Sequence, residues 1–190
     1  MEQRCLHYMM NNRILNRIEL AARLLKTSNK SFIATYLSFQ KDTLERIDSG
    51  RPYVLCTYYV PPEITSMIDT EFLYIERVVG LCAGSRDFND GDTPLLPAKS
   101  CSYQKVFLNL IEKQLLPKPA YIVAFQYPCV DAVRVCQFIS EKYQIPLLPI
   151  SIKNMENDLV CVYRQLKKEF GLRQSVQRTV QLSNNAAALK

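Results

Sequence analysis

The sequence predicts an α/β domain in which an open parallel sheet carries helices on both faces, preceded by N-terminal helices. From residue 51 onward, short runs rich in β-branched and aromatic residues alternate with segments whose apolar residues recur at helical spacing. That alternation is typical of parallel strands joined by helical crossovers, as in flavodoxin-like and Rossmann-like domains. The 190 residues fit one such domain with appendages. We assign residues 1–50 to a helical segment, 51–171 to the α/β lobe and 172–190 to a tail or further helix.

Two amphipathic helices are predicted in the first fifty residues. Apolar residues recur at helical spacing from Asn11 to Lys26, after an asparagine pair that suits a helix cap. A second helix is predicted from Ser31, ending at Gly50, where glycine suits a C-terminal cap.

The pattern then changes to strands and helices. Tyr53–Tyr59 is rich in β-forming residues and precedes Pro61, Pro62 and Glu63, which suit the first turn of a helix. A second strand is predicted over 72–79, followed by a polar loop over 80–97. The remaining elements are predicted as a helix from Ser100 that ends before Pro117, a strand at 120–125, a helix at 130–143, a strand at 145–150 and a helix at 154–170.

Composition and charge exclude several classes of function. The net charge is 24 − 18 = +6 and is spread along the chain, which predicts no nucleic-acid site. The five glycines form neither a dinucleotide fingerprint nor a Walker loop, and His7 alone cannot form a two-histidine zinc motif. We find no apolar run of transmembrane length and no signal peptide, and we therefore expect a cytoplasmic protein that does not bind membranes.

Cysteine is the residue type that points to chemistry. The count of seven is odd, and a reducing compartment disfavours disulfides, so metal binding, redox chemistry or core packing must account for the thiols. Cys136 and Cys161, within predicted helices, are expected to pack in the core. The other candidates lie near the carboxyl ends of predicted strands, where open parallel sheets bind ligands; they are Cys56, Cys82, Cys101 and Cys129.

Three segments in order resemble the family of 2-hydroxyacyl-CoA dehydratase and benzoyl-CoA reductase subunits. They are residues 54–64 (VLCTYYVPPEI), 96–103 (LPAKSCSY) and 121–131 (YIVAFQYPCVD). Family members carry a similar cysteine and proline-rich turn after a strand, and a second cysteine in a segment like the one at 96–103. The resemblance extends over about residues 30 to 170.

The resemblance implies an iron–sulfur cluster, of the 4Fe–4S type, with one iron open to substrate. Its ligands here would be Cys56, Cys101 and Cys129, although Val130 separates Cys129 from the aspartate that directly follows the cysteine in relatives. In the family, an ATP-dependent activator protein delivers an electron that passes to an acyl-CoA thioester and gives a ketyl radical, and dehydration or ring reduction follows. Family subunits have two similar lobes, so a homologous or second-lobe partner subunit is expected, in an oligomer.

Two other functions remain open from the sequence. One is an interaction or regulatory module that keeps the lobe but binds no cluster. The other is a structural zinc site that would use all four cysteines of the strand ends, each about 2.3 Å from the metal.

Overall fold

A computed structural model describes residues 41–57, 60–82, 101–112, 116–127 and 129–176. It contains a sheet of four strands, all parallel, with helices on both faces, and this confirms the predicted fold class. The strands are β1 (Tyr53–Cys56), β2 (Glu71–Tyr74), β3 (Tyr121–Phe125) and β4 (Leu147–Ile150). The helices are α1 (residues 41–48), α2 (Pro62–Met67), α3 (Ile75–Cys82), α4 (Ser102–Glu112), α5 (Val130–Tyr143) and α6 (Met155–Phe170).

The second predicted strand is wrong in its C-terminal half. The strand ends at Tyr74, and the following residues form α3. Ile75, Val78 and Val79 are spaced by three and four residues and are buried on one side of that helix. Their β-branched side chains suggested a strand, but burial on one helical face decides the structure. The predicted helix over 11–26, the first part of the next helix and the tail beyond 176 lie outside the described residues.

The strand order is β2-β1-β3-β4, so β1 lies in the interior of the sheet. Val54 of β1 is aligned with Phe72 on one side and with Tyr121 on the other. The chain moves outward from β1 to β2 and then crosses back over β1 to form β3. The strand order therefore reverses between β1 and β3, and we call this position the switch point. Open α/β sheets bind ligands in a crevice at the carboxyl end of such a point.

Two hydrophobic cores lie on opposite faces of the sheet. On the first, which we call the α4 face, Leu55 and Ile122 of the strands pack with residues of α1, α3, α4 and α5. On the second, the α6 face, Val54 and Val123 pack with residues of α2 and α6. Alternate strand residues thus enter different cores, as the two-residue period of a strand requires.

At the amino end of the sheet, a buried carboxylate forms ion pairs with two arginines. Arg46 of α1 donates two hydrogen bonds to Glu71 at the start of β2, from Nε at 2.8 Å and from Nη2 at 3.2 Å. Arg51 also reaches Glu71, at 3.3 Å, and forms an ion pair with Asp69. The side chain of Glu71 is only 4% exposed, and its charge is therefore balanced by two guanidinium groups.

The segment after α6 returns to the same end of the sheet. Leu172 forms an antiparallel bridge with Ile68, and Arg173 donates hydrogen bonds to the carbonyl oxygens of Ile68 and Thr70 at 2.9 and 2.8 Å. Thr70 in turn donates a hydrogen bond to the Pro52 carbonyl at 2.9 Å, which joins the residues immediately before β1 and β2.

Within the described part of the chain, none of the helices combines the length and apolar character needed to cross a bilayer.

Candidate functional site at the carboxyl end of the sheet

Thr57 joins the carboxyl ends of β1 and β3. Its backbone N–H donates to the Val123 carbonyl at 3.1 Å, and its hydroxyl oxygen accepts a hydrogen bond from the Phe125 N–H at 2.7 Å. The residue is fully buried. The two strand ends that border the switch point are therefore held together by a backbone and a side-chain hydrogen bond.

Cys101 lies at the N-terminus of α4 with an exposed thiol. The backbone N–H groups of Gln104 and Lys105 donate to its carbonyl oxygen, at 3.0 and 3.3 Å, which makes it the first residue of the helical hydrogen-bond pattern. The helix is about 16 Å long at 1.5 Å per residue and leads to the start of β3. Its N-terminus therefore lies toward the carboxyl end of the sheet, as the sequence predicted.

Cys129 is the N-cap residue of α5, immediately after the turn that follows β3. Its backbone is extended, with φ −115° and ψ 107°, and its side chain makes no capping hydrogen bond. The thiol is half-buried. Both Cys101 and Cys129 thus have solvent contact at the N-terminus of a helix.

Cys56 is at the expected strand end, but its side chain is in the core. It is fully buried on the α6 face, and its Sγ lies 3.9 Å from the Val54 carbonyl oxygen. Burial raises the pKa of the Cys56 thiol well above its usual value, with smaller contributions in the same direction from Cys136 and Glu76. The thiol is therefore protonated and inaccessible in this conformation.

The remaining cysteines divide between core and surface. Cys136 is buried as predicted, and burial raises its pKa to about 12. The prediction for Cys161 is wrong, because α6 exposes it. Cys82 is the last residue of α3, and its side chain lies outside what the structure describes. Across the described ranges, no group of three or more histidine, cysteine or acidic side chains is close enough to hold a metal ion.

Apolar side chains are exposed around the same end of the sheet. Four large ones lie near the helix N-termini and strand ends there, and they are between 40% and 59% exposed. They are Tyr103, Tyr127, Ile152 and Met155, which we call the apolar rim. Met155 is the first residue of α6.

Gln104, on the first turn of α4, was not among the predicted site residues. It is 1% exposed, and among the described residues its Oε1 is buried with no hydrogen-bond partner. A signal was available, since Gln104 and Asn109 are the two polar residues among the otherwise apolar buried residues of this helix. The sequence pattern alone, however, cannot tell a satisfied amide from an unsatisfied one.

A groove of about 580 Å³ runs beside the outer strand β2. Arg77 stacks on the ring of Tyr74 there, with its guanidinium carbon 4.5 Å from the ring centre. None of the predicted cysteine ligands lines it. We therefore place the candidate chemistry at the switch point and not in this groove.

Comparison with protein-family models finds no match to the chain, and comparison with curated proteins finds none either. The fold and the site define an α/β protein with a parallel sheet and two accessible thiols at the carboxyl end of that sheet.

Proposed function

We propose that the chain is a lobe of an enzyme of the 2-hydroxyacyl-CoA dehydratase and benzoyl-CoA reductase type, and that it contributes thiolate ligands to an iron–sulfur cluster. One observation carries the proposal. Cys101 and Cys129, two of the three cysteines in the segments that resemble the family, have accessible thiols at helix N-termini beside a switch point. A partner subunit completes the site.

The donor set fits such a cluster in part. Thiolates without histidine are the ligand type that iron–sulfur clusters require, and two of them have solvent contact here. Cys56 does not fit in its described conformation, because the thiol is buried and protonated. The proposed holoprotein therefore takes its further ligands from the partner subunit, or from Cys56 after it leaves the α6 face. When bound, the cluster would supply one-electron transfer to an acyl-CoA thioester.

Three features of the chain would support a cluster at the carboxyl end of the sheet. Cys101 and Cys129 have solvent contact at the N-termini of α4 and α5, where an iron ion could reach their sulfur atoms. The hydrogen bonds of Thr57 keep the ends of β1 and β3 at a fixed separation. The apolar rim is the kind of surface that partner proteins cover, and a covered site excludes water.

The proposal is tested by metal content under strict anaerobiosis. Wild-type protein and the variants Cys101→Ser, Cys129→Ser and Cys161→Ser are reconstituted with iron and sulfide, and iron, sulfide and visible absorption are measured. We expect the first two variants to lose iron and the third to match wild type, since Cys161 is an exposed thiol of α6 away from the strand ends. Equal iron in all four proteins would contradict the proposal.

A second function is favoured by the burial of Cys56. A lobe with one of its candidate ligands in the core, and with exposed apolar residues at the same end, would also serve as an interaction module without a cluster. This function predicts a colourless, air-stable protein that folds without metal. Elemental analysis in the same experiment separates iron from a structural zinc ion, which would require all four cysteines of the strand ends.

A further inference from the structure

The outer edge of β2 borders the groove of about 580 Å³. Among the residues that the structure describes, β2 pairs with β1 on one side and with no strand on the other. Backbone N–H and C=O groups along such an edge can pair with another extended chain. β4, at the opposite edge, contains Pro149, which has no N–H to donate. Of the two edges, β2 is therefore the better template for an added strand.

One wall of the groove is apolar. Phe72 of β2 lines it together with Val60 and Pro62, at the start of α2, and both Phe72 and Val60 belong to the core of the α6 face. Successive side chains of a strand point to opposite faces, so every second side chain of an added strand would meet this wall. The groove therefore suits an extended chain with apolar residues at alternate positions.

A positive charge is held where the groove meets the amino end of β2. Arg173 lines the groove, and its Nε and Nη2 donate hydrogen bonds to the carbonyl oxygens of Ile68 and Thr70, at 2.9 and 2.8 Å. A guanidinium has five N–H donors, so these bonds orient it and leave donors for a further acceptor. Across the described ranges, no carboxylate forms an ion pair with Arg173.

The neighbouring charges do not neutralise Arg173. Glu71, which also lines the groove, is paired with Arg46 and Arg51, and Asp69 is paired with Arg51. Three arginines thus stand against two carboxylates at this end, which leaves one positive charge in excess. A ligand with a single carboxylate would balance it, and a planar guanidinium binds a carboxylate through two parallel hydrogen bonds.

We propose that the groove beside β2 binds the carboxyl terminus of an extended peptide as an added antiparallel strand, with the terminal carboxylate on Arg173. The direction follows from the charges. An antiparallel strand places its carboxyl terminus at the amino end of β2, where positive charge is in excess, whereas a parallel strand would place a positive amino terminus there. At the other end of the groove, Glu76 and Arg77 have opposite charges and favour neither terminus.

The test uses an N-acetylated peptide of alternating valine and threonine, made with a free carboxyl terminus and with a terminal amide. Calorimetry measures binding of each to the full chain. We expect wild type to bind the free acid about tenfold more tightly, because the amide loses charge-assisted hydrogen bonds. Arg173→Met should bind both peptides equally. Arg164→Met removes an exposed arginine of α6 that does not line the groove, and this control should behave like wild type.

Hydrogen exchange on wild type provides a second readout, which decides the question even if Arg173→Met does not fold. The free acid should slow exchange of the outward-facing amides of β2 and leave those of β4 unchanged. Metal-free, reduced protein is used throughout, and none of Cys56, Cys101 and Cys129 lines the groove. Peptide binding and iron binding can therefore fail separately, so the inference does not depend on the proposed function.

Four outcomes would overturn the inference. The first is no binding of the free acid at about 1 mM, or equal binding of acid and amide to wild type. The second is a preference for the acid that survives in Arg173→Met. The third is displacement of the peptide by an equal concentration of butyrate, which would show that the groove takes a small acid. The fourth is self-association that protects the β2 amides without peptide, which would show that a second copy covers this edge.

Discussion

The two ends of the sheet differ in how their polar and apolar groups are used. At the amino end, buried or half-buried side chains pair with one another and with backbone carbonyls, as Glu71 does with Arg46 and Arg51. At the carboxyl end, thiols and large apolar side chains contact solvent, and the Gln104 amide oxygen has no partner among the residues that the structure describes. The comparison teaches that ion pairs between buried and half-buried side chains join the elements at the amino end, whereas at the carboxyl end Thr57 joins the strands and the exposed groups are available to a ligand.

The largest expected difference is in the labelling rates of the accessible and the buried thiols. Exposed Cys101 should react fastest with a disulfide reagent and half-buried Cys129 next, whereas Cys56 and Cys136 react only after the protein opens. With an ordinary folding stability, we expect the buried thiols to react at least about a thousandfold more slowly. Mass-spectrometric mapping of labelled peptides measures the rates, with exposed Cys161 as the fast reference. Rapid labelling of native Cys56 would show that it reaches the carboxyl end without unfolding.

Removing the partners of Glu71 should have the largest effect on stability. The double variant Arg46→Met with Arg51→Met leaves a buried carboxylate without its cations, and we expect about 3 kcal/mol less free energy of unfolding. The control at the other end is Arg134→Met, which removes an exposed pair with Asp131 at 3.6 Å and should cost less than about 0.5 kcal/mol. Urea unfolding measures both. Similar losses in the two proteins would remove the contrast between the ends.

Alkaline pH should destabilise the protein through Cys136. Burial raises its folded pKa to about 12, from a usual value of 9.0, so the folded state keeps the proton while the unfolded state loses it. Stability is therefore complete below about pH 9 and is lost as pH rises toward the folded value, by about 1 kcal/mol per pH unit. Urea midpoints between pH 8 and 11 measure the slope. Cys136→Ala should reduce the slope to the part that buried Cys56 contributes for the same reason, and Cys161→Ala should leave it unchanged. Equal slopes in both variants would refute the assignment.

Removing one tyrosine hydroxyl at each end of the sheet should give the smallest difference in stability between the ends. Tyr53 donates a hydrogen bond to the Pro117 carbonyl at the amino end, and Tyr53→Phe should lower the free energy of unfolding by about 1 kcal/mol. Tyr127→Phe makes the same chemical change on the apolar rim, where the side chain is exposed, and should leave stability unchanged. Thermal unfolding of the two variants is the measurement. A loss confined to Tyr127→Phe would reverse the comparison.

Much of the fold could be predicted because each element follows from local pattern. The helix predicted at 130–143 is α5 as observed, and the strand before it differs by one residue. The error at 72–79 arose where β-branched residues occupy a helix, so that intrinsic preference and burial disagree. The pairing of Arg46 with Glu71 was beyond reach, because it joins positions 25 residues apart through the packing of α1 on the sheet.

The candidate site could be predicted in position but not in orientation. Topology alone brings Cys101 and Cys129 to the carboxyl end. The direction of the Cys56 side chain depends on strand parity, and in a sheet covered on both faces either parity is buried. The sequence therefore gave no sign of which side of β1 this thiol would occupy, and the cluster ligands remain a prediction.

The interior position of β1 has a consequence for synthesis on the ribosome. Its partner β2 follows after a short helix, and the ion pairs of Glu71 join groups that all emerge by residue 71. Its other partner, β3, is complete only at Phe125, 51 residues after β2 ends at Tyr74, which is about 3–10 s at ordinary elongation rates. During that interval one side of β1 is an unpaired strand edge, and the nascent chain is then most open to association with its neighbours on a polysome.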